Sequence, residues 1–135
     1  MSKNGVYKKA KEMAKYYAQF PEWYWKHGLH DAKLLSVNPI QTEPDYKKGT
    51  YNCLEICLDA DGALFEEDVT RILLYNYKIE RLPAIINTDD DKWWYGDELT
   101  KNDDGKYKLD ITIVDIKNKK HIFTVIFKMA EIERG

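Results

Sequence analysis

The chain predicts an α+β domain: one N-terminal helix packed on a mostly antiparallel sheet of about six strands, strongly curved or partly closed as a barrel. Three patterns carry the prediction. A lysine-rich amphipathic stretch opens the sequence, two alternating apolar runs close it, and a similar succession of strand-like runs occurs twice after the opening stretch, the second time including the closing pair.

The helix is expected over residues 4–20. Tyr7, Ala10, Met13, Ala14 and Tyr17 recur at helical spacing, while Lys8, Lys9, Lys11, Glu12 and Lys15 take the other side. Asn4 suits an N-cap, and Pro21 disfavours the helical conformation at Phe20. Some element must cover the sheet, so the apolar stripe is assigned to that task rather than to a membrane or a partner.

The closing runs form a hairpin. Tyr107, Leu109, Ile111 and Ile113 alternate with Lys108, Asp110 and Thr112, and Phe123, Val125, Phe127 and Met129 share one side of the second run. Keeping apolar residues opposite one another pairs Tyr107 with Met129, Leu109 with Phe127, Ile111 with Val125 and Ile113 with Phe123. The turn is then an odd-membered loop centred on Asn118, a residue that tolerates positive φ.

Between helix and hairpin, strands are expected at Ala32–Ile40, Tyr51–Asp59, Val69–Glu80 and Trp93–Leu99, with a turn at Asp61-Gly62. Leu54-Glu55-Ile56-Cys57-Leu58 echoes Leu109-Asp110-Ile111-Thr112-Ile113, and each series closes in Ile-Glu, at Ile79-Glu80 and Ile132-Glu133. Two tandem three-stranded meanders, 32–80 and 93–133, follow from that repeat. A chain of 135 residues is read as one domain, 1–135.

Composition limits the function. Net charge is −2 and pI about 5.9, so no global field draws the chain to nucleic acid or anionic lipid. No apolar run is long enough to span a bilayer and no signal-peptide pattern is present, which points to the cytoplasm. Cys53 and Cys57 lie four apart on one expected strand, about 13 Å between Cα atoms, too far for a disulfide. Reduced thiols agree with that compartment.

Familiar chemistries find little support. His27, His30 and Asp31 form H-x-x-H-D, a metal pair if helical, yet the only other histidine is His121. Asn87, Asp89, Asp91 and Glu98 match calcium-loop spacing, but Lys92 occupies the position that needs glycine. Neither Ser2 nor Ser36 lies in a nucleophile elbow, there is no glycine-rich phosphate loop, and no cofactor is implied. Aromatic density is the unusual feature: Tyr16, Tyr17, Phe20, Trp23, Tyr24 and Trp25, then Trp93, Trp94 and Tyr95. Such rings dominate protein interfaces.

The leading expectation is a non-enzymatic module that binds another protein, a second copy of itself included, through Trp23, Trp25, Trp93, Trp94, Tyr95, Asp89 and Asp91. Two alternatives stand beside it. One is a small-molecule or saccharide cup lined by Tyr75, Tyr77, Trp93 and Trp94. The other is a metal-dependent hydrolase built on His27, His30 and Asp31.

His30-Asp31 opening a first strand, then Trp94-x-x-x-Glu98-Leu99, then a tyrosine-led hairpin closing in Phe127-x-x-x-x-Ile132, is similar to small uncharacterised bacterial domain families. Some of these resemble immunity or accessory factors encoded near toxins. The resemblance spans about residues 30–133, with Leu29 where such families carry Trp. It implies a bacterial, immunity-like binding role and carries over no catalytic residue.

Overall fold

The computed structural model describes residues 24–41 and 53–135. Eight strands run in chain order: β1 (Lys33–Ile40), β2 (Cys53–Asp59), β3 (Val69–Tyr75), β4 (Lys78–Arg81), β5 (Lys92–Lys101), β6 (Tyr107–Asp115), β7 (Lys120–Phe127) and β8 (Met129–Arg134). They form one sheet in the order β4-β7-β6-β5-β1-β2-β3-β8, and every pairing is antiparallel. The α+β expectation is therefore corrected to an all-antiparallel β fold. Among the described residues the one helical element is a four-residue 3₁₀ turn, Ala84–Asn87. The helix expected over 4–20 lies outside the described residues.

Two bends account for eight strands where six were expected. Val69–Glu80 reads as one continuous apolar run, but Asn76 takes a left-handed conformation (φ 53°) and separates β3 from β4. Asn adopts that region more readily than most residues. The second break falls at Lys128, between β7 and β8. Lys128 N–H donates to Tyr75 C=O at 3.0 Å, tying one break to the other.

The bends also correct the tandem meanders. β1-β2-β3 and β5-β6-β7 are each consecutive in the sheet, but each half hands its last strand to the other: β4 pairs with β7, and β8 with β3. The echoing runs fall on the second strands, β2 and β6, and the two Ile-Glu pairs on the exchanged strands, β4 and β8. Elsewhere the halves meet only narrowly. Lys33 faces Trp93, Trp94 N–H donates to Ala32 C=O, and Asp31 N–H donates to Trp94 C=O, both at 2.8 Å.

The hairpin's inward and outward faces are as expected, but its register is two residues away. Tyr107 faces Phe127, Leu109 faces Val125, Ile111 faces Phe123 and Ile113 faces His121. An even shift preserves the faces, so hydrophobic pattern alone does not distinguish the two registers. The turn decides. Asn118 N–H donates to Asp115 C=O at 2.9 Å and Asp115 N–H to Lys119 C=O at 3.1 Å. Asn118 supplies the left-handed residue (φ 65°) as the last of the three loop residues instead of the middle one.

The core lies between the two halves. Leu54, Ile56, Ile72, Leu74 and Ile132 come from one, and Leu99, Leu109, Ile111, Phe123, Val125 and Phe127 from the other. Trp25, Leu29 and Trp94 join the same cluster. Trp25 meets Trp94 edge-on at 5.7 Å and 81°, a geometry worth about 0.5–1.5 kcal/mol beyond area burial.

Candidate functional site

The site is built on one extra residue in β5. Trp94 faces Ile113 and Gly96 faces Thr112, so Tyr95 is a bulge. Strict alternation would send Asp97 to the face opposite its neighbours Glu98 and Gly96 and opposite Trp94 as well. The bulge turns both Trp94 and Asp97 inward, with Asp97 opposite Ile111. A glycine inside a strand is the sequence mark of such a bulge, and Gly96 is that mark.

The Asp97 carboxylate is fully buried and collects donors from two directions. Trp94 Nε1–H donates to Oδ2 at 2.8 Å. The Tyr24 hydroxyl and the His27 backbone N–H, the latter at 3.3 Å, donate to Oδ1. His27 Nδ1 stands 3.9 Å from the same oxygen, its ring largely exposed. Burial first, then the adjacent carboxylate, pushes the Tyr24 phenol well above its ordinary range, so it remains a donor.

This carboxylate anchors a turn that the backbone does not favour. Lys26, His27 and Asp31 all have positive φ (31°, 64° and 77°), at a cost of order 1–3 kcal/mol each. Gly28 is required by close approach: a Cβ there would lie 2.7 Å from Glu66 Cγ and 2.8 Å from Trp25 C=O. Its carbonyl accepts from Phe65 and Glu66 N–H, both at 3.0 Å, and Leu64 N–H donates to His30 C=O. Turn 26–31, loop 60–66 and the start of β5 are thus locked together.

Around that junction lies an exposed aromatic and apolar surface. Phe65 is 76 % exposed, Ile116 70 %, Leu64 56 % and Tyr95 40 %. The His30 ring packs on Tyr95 at 5.1 Å, and Lys120 Nζ sits 4.5 Å from the centroid of the Tyr95 ring. Trp93, Val114 and Ile116 wall an open depression of about 710 Å³ rimmed by Asp31, Gly62 and Asn118. Asp115 also borders it. Its carboxyl is held below the ordinary range by the His121 ring at 3.0 Å, then by the N–H groups of Lys119 and Lys117.

The residues singled out from sequence divide accordingly. Trp25 and Trp94 are core. Trp93 is half-buried beside the depression and Tyr95 is exposed. Trp23 lies outside the described residues. Asp89 and Asp91 are exposed, and Asp91 pairs with Lys33 at 3.0 Å. In the calcium-like loop, the buried Lys92 ammonium takes the carbonyls of Thr88 and Asp90, at 3.0 and 2.8 Å. Its own side chain is the cation of that loop.

His27, His30 and Asp31 do not converge. His27 turns toward Asp97, while His30 Nδ1 is 3.2 Å from Asp31. Among the described residues no three His, Cys, Asp or Glu side chains are placed to share a metal ion. Nor do the four rings proposed for a cup face one space, since Trp94 is buried in the core and Trp93 borders the depression. Sequence reasoning missed Asp97, Leu64, Phe65 and Ile116. Only Asp97 had a signal, in Gly96.

No described helix is long and apolar enough to cross a membrane. Comparison with protein-family models, with curated proteins and with solved structures gave no match.

Proposed function

We propose that the protein is a non-enzymatic binding module whose contact surface is the β1–β5 junction: Leu64, Phe65, Trp93, Tyr95 and Ile116, with His30, Asp31 and Lys120 at its margin. The supporting observation is that Ile116 and Trp93 line an open depression beside Asp31, while exposed Leu64 and Phe65 are tied through their backbones to His30 and Gly28 of the adjoining turn and exposed Tyr95 packs on the His30 ring. Contiguous exposed apolar surface with a polar rim is the usual mark of a protein contact. Tyr and Trp contribute rigid area at low entropic cost. The anchored turn beneath adds preorganisation, which lowers the cost of association. The partner is another folded protein, and the immunity-like role implied by the sequence resemblance is one instance of such binding.

The test is size-exclusion of the native protein at its cellular level, beside a Phe65→Asp/Ile116→Asp variant. The wild type is expected to elute in a complex, and the variant at the mass of the 15.9 kDa chain, with an unchanged unfolding midpoint. Wild type already eluting at the mass of one chain, or a variant that stays in the complex, contradicts the proposal.

A further inference from the structure

A second feature lies on the outward face of β4, β7 and β6, where an open depression of about 550 Å³ is lined by Lys78, Arg81, Lys108, Glu80, Asp110 and Thr124. Its charge arrangement depends on a bulge in β4. Ile79 faces Val125 and Arg81 faces Thr124, so Glu80 is the extra residue. In an unbulged strand Glu80 would face Thr124, and Arg81 would share the inward side with Ile79. The bulge brings Arg81 to the outward side, where Lys78 already stands opposite Ile126. Lys108 faces the same Ile126 from β6. Three cations therefore surround one patch, on a chain whose net charge is −2.

The two carboxylates at the patch are already engaged. Glu80 pairs with Lys108 at 3.8 Å, and Asp110 Oδ1 accepts the Thr124 hydroxyl at 2.6 Å. Among the described residues, neither Lys78 nor Arg81 has a carboxylate partner. β4 is an edge strand, so solvent reaches both. Cations and a bulge on an edge strand both also block strand addition; what goes beyond that purpose is that Lys78 and Arg81 meet Lys108 of the interior strand β6 around one depression.

We infer that this depression binds a compact oxyanion, a carboxylate or a phosphate. The Arg81 guanidinium grips it, Lys78 and Lys108 supply the remaining positive charge, and Ile122 receives any apolar portion of the ligand.

The experiment is a backbone-amide NMR titration of the full chain with inorganic phosphate and, separately, with succinate, at ionic strength held constant with chloride. Saturable shifts are expected at Lys78, Arg81, Lys108 and Thr124. Arg81→Gln is expected to weaken binding about tenfold or more, the loss of one charge-assisted contact, with Arg81→Lys intermediate. Saturation by one probe only assigns the ligand to that chemical source, and saturation by both supports the shared oxyanion chemistry. Linear, unsaturated shifts with both probes, or an affinity unchanged by Arg81→Gln in a folded variant, overturn the inference.

Discussion

Replacing Asp97 with Ala removes the acceptor of three donors at once. Trp94 Nε1–H, the Tyr24 hydroxyl and the His27 N–H all point at its carboxylate. Hydrogen bonds to a charged group contribute about 1.5–3 kcal/mol each, and a buried donor left unsatisfied costs about 1–3 kcal/mol. The three act on one group and are not additive, so an overall loss of about 3–5 kcal/mol is expected. A domain of this size has about 5–15 kcal/mol to lose, which makes the effect severe. The assay is equilibrium urea unfolding followed by tryptophan fluorescence, with Glu98→Ala as the exposed neighbour expected to stay within about 0.5 kcal/mol of wild type. Tyr24→Phe with Asp97→Asn, alone and together, isolates one contact, and coupling of about 0.5–3 kcal/mol is expected. A loss below about 1 kcal/mol for Asp97→Ala would mean that water replaces the carboxylate, and the anchored-turn reasoning would fail.

Three further predictions concern the same framework. Gly28→Ala sets a Cβ against Trp25 C=O and against a Glu66 side chain held by Arg134 at 2.6 Å; a loss of about 1–3 kcal/mol is expected in thermal melts. Burial, with Glu131 as the next contribution, pushes the Cys53 thiol up to about 12. A folded value above the unfolded one means this stabilisation is intact below about pH 9 and is lost as pH rises toward 12; thiolate absorbance should therefore appear together with unfolding, and its appearance near pH 9 in folded protein would contradict the burial. The Asp115 carboxyl is shifted the other way, below 3.8, so its contribution is present above that value and is lost as pH falls further. Acid titration should loosen turn 115–119 before the rest of the sheet, and amide exchange there that stays flat on acidification would count against the His121–Asp115 pairing.

Side-chain alternation made the strands and their faces legible. Leu109, Ile111 and Ile113 do share a face with Phe123 and Val125. Alternation has period two, however, and a register displaced by two residues satisfies it equally well; the hairpin turned on where Asn118 sits in its loop. The breaks at Asn76 and Lys128 carry neither Pro nor Gly, so one bent strand and two strands look alike in sequence. Ring density identified the right neighbourhood but not which rings would be buried. Trp94 went to the core because the Tyr95 bulge and the Asp97 carboxylate hold it there, and Trp25 packs on it, whereas Leu64, Phe65 and Ile116, in the loops between strands, are exposed. Long-range hydrogen bonds such as Tyr24 to Asp97 leave no local trace in the chain.

The most direct test of the proposed contact surface is site-specific photo-crosslinking in the native cell, with the reactive group placed in turn at Phe65, at Ile116 and at Asp104. Asp104 is exposed in the turn at the opposite end of β5. Discrete protein adducts from Phe65 and Ile116, and none from Asp104, are the predicted result. Equal labelling from all three positions, or no adduct from either junction position in folded protein, would contradict the proposal.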